Sequence, residues 1–239
     1  MLNSVGGALE NFSRDPVAFM VPTLLYPILM VITLGAFMAV VLIAFLVLTL
    51  IGISGDIMMY ALGAVGAVLL IMYSVLAAGY KGAMVSEYNN ATEGRGVGLS
   101  HYLNYAMGNC GALFFISMVK MIIIMFVTMP FLLLYYFLLS GLWEGWTYIF
   151  GAMWLVLLFS VEFMFSFSFT AYVVRRVSPI TALIIAFNFI KERNVKALIT
   201  YAFYAMVAAT TLIPIINFIT YPVFYPIAYT SLILFFKGG

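Results

Sequence analysis

Between residues 16 and 51 the chain carries no Asp, Glu, Lys, Arg or His. About 20 apolar residues in a helix span the roughly 30 Å hydrocarbon core of a bilayer. A soluble protein could hide such a run only beneath a large charged surface, and the rest of the chain does not supply one. Its 239 residues include 10 Lys and Arg and 8 Asp and Glu, so 8% are charged, against about 25% in an ordinary soluble domain. Lipid is therefore the solvent for most of this sequence, in keeping with a mean hydropathy of +1.19. The same composition narrows function. A net charge of +2 gives no footprint for nucleic acid. Cys110 is the single cysteine and His101 the single histidine, which excludes an intramolecular disulfide, a cysteine metal cluster and a two-histidine haem or zinc site built from this chain. No cofactor or metal is expected. The polar first fifteen residues and the length of the following apolar run do not read as a cleavable signal.

The run at 16–51 is too long for one upright crossing and too short for two. Pro22 and Pro27 are expected to bend its beginning, with the span proper from about Tyr26. A turn at Gly52, Ser54, Gly55 and Asp56 leads to a second span at 57–80, where Gly63, Gly66 and Ala67 would allow close helix approach. Residues 81–109 read as a long polar stretch containing Lys81, Glu87, Asn89 and Asn90, ending in a short interfacial helix at 99–108 that holds His101 as a solvated residue. A third span is expected at 111–140, a turn at 142–147 with Trp143 and Trp146 in an aromatic belt, and a fourth span at 148–174. Ser178 and Pro179 then open another interfacial helix. The fifth span is expected at 195–213 and the sixth at 218–236, the latter interrupted by Pro222 and Pro226.

Numbering the sides alternately places Arg14, Lys81, Arg95, Arg175, Arg176, Lys191, Arg193, Lys196 and Lys237 on one side, with Asp56 and Glu144 on the other. That segregation marks the basic side as cytoplasmic and puts both termini there. Arg175, Arg176, Lys191, Arg193 and Lys196 would also contact anionic headgroups.

The spans share a recurring beginning. Asp15 stands three residues before Ala18, Asn109 three before Ala112 and Asn194 three before Ala197, each after a short amphipathic segment. Read as helix N-caps, they divide the chain into three units, 1–80, 97–175 and 178–236, within one membrane domain. The expected fold is thus all-α and integral to the membrane: six transmembrane helices as three hairpins, each preceded by a cytoplasmic interfacial helix. Mitochondrial carriers share a three-unit, six-span plan, but their Pro-x-Asp/Glu-x-x-Lys/Arg signature is absent here. Tyr80-Lys81-Gly82-Ala83 with the polar loop after it, and residues 173–197 with their Ser178-Pro179-x-x-Ala182-Leu183 run, resemble a group of prokaryotic polytopic membrane proteins. These are similar to the membrane domain that precedes some glycerophosphodiester phosphodiesterases. The resemblance implies architecture and a bacterial or archaeal plasma membrane. These residues hold no phosphodiesterase domain, so it carries over no catalytic residue.

Two charges, Lys120 and Glu162, fall inside spans. A charge at the bilayer centre costs on the order of 3 kcal/mol, so the two are expected to pair across their hairpin. Glu162, Ser166 and Thr170 recur at helical spacing, as do Tyr221, Tyr225 and Tyr229, with Tyr204 on the neighbouring span. These faces either line a modest polar cavity or serve as ordinary interhelical hydrogen-bonding groups. The loop Glu93-Gly94-Arg95-Gly96-Val97-Gly98 lacks the Lys-Ser/Thr ending of a phosphate-binding loop. No nucleophilic, acid–base or metal constellation is legible, so an enzyme is not expected. Two readings remain. One is a non-catalytic membrane subunit, scaffold or assembly factor that packs against other membrane proteins or a second copy of itself. The other is a transporter or channel for a small or lipid-like solute, using the Lys120/Glu162 region.

Overall fold

The structure, a computed structural model, describes residues 2–139, 144–211 and 213–238. Those residues are helical with short connections and no strand: α1 (Leu2–Arg14), α2 (Pro16–Leu50), α3 (Gly55–Thr92), α4 (Leu99–Leu134), α5 (Glu144–Arg175), α6 (Pro179–Thr210), α7 (Pro214–Ile219) and α8 (Tyr225–Lys237). A π-helical turn, Tyr135–Leu139, continues α4, and another, Thr220–Phe224, joins α7 to α8. Five stretches are long and apolar enough to cross a membrane: Pro16–Leu50, Gly55–Thr92, Leu99–Phe137, Thr147–Arg175 and Ile216–Lys237. The chain is an all-helical, multi-pass membrane protein.

Several helices outrun the lengths expected of them. α2 takes in the whole uncharged run, and Pro22 and Pro27 sit inside it without ending it. α3 does not stop near Tyr80 but continues for another three turns to Thr92, burying Met84, Val85, Tyr88 and even Glu87, Asn89 and Asn90. Polarity there marks an internal face rather than a loop, because α8, α4 and α5 lie close enough to cover it, although Glu87 Oε2 and Asn89 Oδ1 are buried without a hydrogen-bond partner among the described residues. The connection to α4 shrinks to residues 93–98. α4 in turn runs unbroken from Leu99 through the expected interfacial segment and into the membrane span. Asn109 is therefore not an N-cap: no helix begins there, and its side chain donates back to the Tyr105 carbonyl at 3.0 Å.

The other two expected caps lie at real discontinuities. Asp15 Oδ1 accepts from the Ala18 N–H at 3.1 Å and Pro16 fills the first helical position of α2. α6 is kinked where Arg193 leaves helical geometry (φ −124°, ψ 27°), and Asn194 Oδ1 accepts from the adjacent Val195 N–H at 2.6 Å. The residues expected as a separate fifth span thus continue the helix begun at Pro179. α6 is not among the five stretches that meet the length and apolarity of a crossing. Of the turn expected at 142–147, Leu142 and Trp143 lie outside the described residues, as does the Trp146 side chain.

Packing is concentrated at one end of the molecule. α3 lies against α2 and α4, α5 against α4 and α6, and α8 touches α1, α2, α3, α5 and α6. The helix with two prolines near its start is thus the central one: Ile227, Ala228, Tyr229, Leu232 and Phe236 are buried. Its prolines fall at the π turn and at the start of α8, where missing backbone donors are least disruptive. The close approach of α3 and α4 is made by Gly79 and Gly82, not by Gly63 and Gly66. A Cβ at Gly79 would lie 2.7 Å from the Ala106 carbonyl oxygen, whereas one at Gly63 or Gly66 would meet nothing within 4 Å. Away from this packed end, α2, α3, α4 and α5 present bare apolar surface, Leu50 being 85% exposed.

Candidate functional site: a cleft with two lysines

Lys120 on α4 and Glu162 on α5 form an ion pair, Nζ to Oε1 2.7 Å. Their register follows from the helices. The Tyr172 hydroxyl donates to Asn109 Oδ1 at 2.8 Å, which fixes those two levels as equal. Lys120 lies eleven residues beyond Asn109 and Glu162 ten residues before Tyr172, about 16 Å along each helix at 1.5 Å per residue. The pair is not sealed: the Lys120 side chain is 20% exposed and that of Glu162 47%.

A second lysine belongs to the same place. Because α3 continues to Thr92, Lys81 is a helical residue eleven positions from its end, about 16 Å along the helix, rather than the first residue of a polar loop. Its Nζ lies 5.3 Å from the centre of the Phe169 ring, a distance at which the ring face stabilises an ammonium. The charged groups acting on it are Lys120 and Glu162. Both lysines line a cleft of about 500 Å³ between α3 and α4, whose other polar groups are Tyr26, Tyr73, Ser74 and Ser117. Its far wall is the flank of α4 carrying Met118, Met121 and Met125. Tyr73 also lines a neighbouring, almost wholly apolar cleft of about 320 Å³ between α2 and α3, with Phe37, Met38 and Leu69.

The tyrosines foreseen as a cavity lining come together as a packed cluster. Tyr204 meets Tyr229 edge-on with centroids 5.3 Å apart, Tyr221 stacks on Tyr225 at 5.5 Å, and the Tyr204 and Tyr225 hydroxyls are 3.3 Å apart. Thr170 is fully buried beside them and Ser166 half-buried. The faces converge as interhelical contact, and these side chains do not line the two-lysine cleft.

At the packed end, Glu87 is fully buried and bonded to His101 Nδ1, tying α3 to the first turn of α4. His101 is half-exposed, so it is both the solvated residue expected and a structural partner of Glu87. Lys237, at the end of α8, donates to Glu93 Oε1 at 2.7 Å and to the Thr92 hydroxyl at 3.1 Å. Arg95 also pairs with Glu93. The Lys237 ammonium donating to Glu93 holds that carboxyl below its usual range. Of the basic residues expected at headgroups, Arg175, Arg176, Lys191 and Lys196 are exposed and Arg193 half-buried, with Arg175 5.7 Å over the Phe236 ring and Arg193 5.8 Å over Phe189. Arg176 adopts a left-handed conformation, φ 52°, where α5 ends.

Sequence reasoning missed Lys81 and Glu87 as interior groups. A signal was present: Met84, Val85 and Tyr88 follow Lys81 at the three-, four- and seven-residue spacing of a helix face. Among the described residues no group of His, Cys, Asp and Glu could hold a metal ion. No protein-family model, no curated protein and no solved structure matches the chain.

Proposed function

We propose that the chain is a multi-pass transport or binding protein for a small or lipid-like solute, which enters the cleft between α3 and α4. The observation that carries this reading is the cleft itself: two lysines, one of them paired with Glu162 beside it, line an open cleft of about 500 Å³ among apolar helices. Ionisable groups within membrane helices cost up to about 2.5–3.5 kcal/mol each at the bilayer centre and are characteristic of solute or ion pathways. A structural pair alone needs one lysine and no cleft. The alternative, a non-catalytic subunit or scaffold, would use the bare apolar flanks of α2 to α5, which surrounding lipid covers equally well.

The topology that goes with this reading has six crossings and cytoplasmic termini in a prokaryotic plasma membrane. Its support is geometric. Arg14 and Asp15, at the beginning of α2, share a cleft with residues 93–97, and Lys237 is bonded to Glu93. The start of α2 and the end of α8 therefore lie at one end, which requires an even number of traverses. The five long apolar stretches are odd in number, and α6 is the element left to supply the sixth. The bases gathered at that end support a cytoplasmic assignment.

Cysteine accessibility tests both statements. With Cys110 replaced by Ser, a cysteine at Ser117 should react with a small polar thiol reagent in intact membranes and be protected by a bound solute. One at Gly96 should be labelled only after the cytoplasmic face is opened. A Ser117 position inert to water-borne reagents would remove the solute reading, and labelling of Gly96 from outside would invert the topology.

A further inference from the structure

We propose that the cleft takes an amphipathic anion of single charge, its acidic head between Lys81 and Lys120 and its apolar chain along the methionine flank of α4. This rests on the solute-binding reading above and names the class of solute.

The charges of the site do not balance. Lys120 is matched by Glu162 at 2.7 Å, while Lys81 has an aromatic face for company and shares the same single carboxylate electrostatically. With both lysines protonated, two ammoniums and one carboxylate leave one positive charge in surroundings that penalise it. One negative charge from a ligand removes the excess. A cation would add to it, and a neutral solute would leave it in place. Ser74, Ser117 and the tyrosine hydroxyls of the cleft supply hydrogen bonds to an oxygen-rich head.

The apolar walls say what else the ligand carries. Met118, Met121 and Met125 descend one side of α4 from the lysines, partly exposed, and methionine adapts to chains of varied shape. Tyr73 connects the lysine cleft to the apolar cleft of about 320 Å³ between α2 and α3. An inorganic anion would fill the charged part and leave both apolar surfaces empty. A carboxylate or phosphodiester on a hydrocarbon chain fills the charged part and an apolar wall together. Glu162 then acts as the resident counter-ion of Lys120, competing with the ligand head for that ammonium.

The test is binding of radiolabelled oleate to the full chain in nanodiscs of neutral phosphatidylcholine, with oleyl alcohol as an uncharged probe of equal length. The expected result is that oleyl alcohol binds at least tenfold more weakly than oleate. Lys81→Met should lose tenfold or more for oleate and nothing for oleyl alcohol, while Lys81→Arg stays within about threefold of the parent. Glu162→Gln, which releases Lys120, should bind oleate several-fold more tightly. Competition by phosphatidylglycerol, or its absence, separates a bilayer lipid from a free fatty acid as the source of the head, and either is compatible with the proposal. Equal binding of oleate and oleyl alcohol, or an unchanged affinity in Lys81→Met, would overturn the anion assignment while leaving a solute cleft. Failure of both probes to bind would overturn the solute reading with it.

Discussion

Single atoms decide how closely α3 and α4 can approach. At Gly79 a methyl group would sit 2.7 Å from the Ala106 carbonyl oxygen and 2.9 Å from Cys110 Cβ, and neither can swing away as a long side chain could. Gly79→Ala should destabilise the protein by about 1–3 kcal/mol, read as a lower melting temperature in mild detergent. Gly63→Ala, with nothing within 4 Å, should be neutral or slightly stabilising because alanine is the better helix former. A comparable loss in both variants would show that neither glycine marks the interface. Glu93 offers a second residue-scale test. Its carboxyl is held below the ordinary 4.5 by the Lys237 ammonium. A depressed carboxylate pKa contributes stability above its unfolded value and loses it as pH falls through the folded value. Hydrogen-exchange protection of the last turn of α8 should therefore be constant from neutral pH down to about the ordinary carboxylate range and decline below it. Glu93→Gln should show low protection throughout. The effect is modest, since the pair is near solvent.

Between elements, hydroxyl pairs set the register of α2 on α3. The Thr23 hydroxyl donates to the Phe19 carbonyl at 2.7 Å and meets the Tyr88 hydroxyl, and ten residues further along Thr33 meets Tyr80 at 3.2 Å. Tyr80 is itself held because its carbonyl accepts from the Tyr102 hydroxyl of α4 at 2.7 Å. A double-mutant cycle of Thr23→Val with Tyr88→Phe should return a coupling of roughly 0.6 kcal/mol, the size usual for such pairs in membrane bundles. Zero coupling in thermal unfolding would reduce the contact to coincidence. The length of α3 was illegible for the same reason that this lattice exists. Hydropathy treats Glu87, Asn89 and Asn90 as signs of water, whereas neighbouring helices cover all three and His101 takes water's place at one Glu87 oxygen. The kink at Arg193 was legible, because Asn194 lies one residue beyond it; the continuity of α4 through Asn109 was not, because the same residue type there bonds Tyr105 and Tyr172 inside the bundle.

For the molecule as a whole, α8 is the organising element. It touches α1, α2, α3, α5 and α6, and buries Ile227, Tyr229, Leu232 and Phe236 among them. Ending the chain after residue 224 should leave a cavity where the centre was and yield protein that elutes as aggregate on size-exclusion chromatography. Deleting Leu2–Arg14, which lies to one side of α8, should retain a monodisperse but less stable species. The reverse outcome would place the organising role in α1.

The sequence determined on its own that this chain is helical and lives in a membrane, because 8% charge cannot solvate 239 residues. It also gave the expectation, met by the 2.7 Å ion pair, that Lys120 and Glu162 pair, because an isolated charge within a membrane helix is costly. Tertiary structure decided which polar residues face inward, that Gly79 and Gly82 are the contact glycines, and that the proline-interrupted last helix is the centre. It also decided that Lys81 and Lys120 line one open cleft. The physical reason is common to all four. Hydropathy and spacing report the cost of exposing a residue to lipid, whereas its partner is set by which helices cross nearby, and that is a property of the assembled bundle.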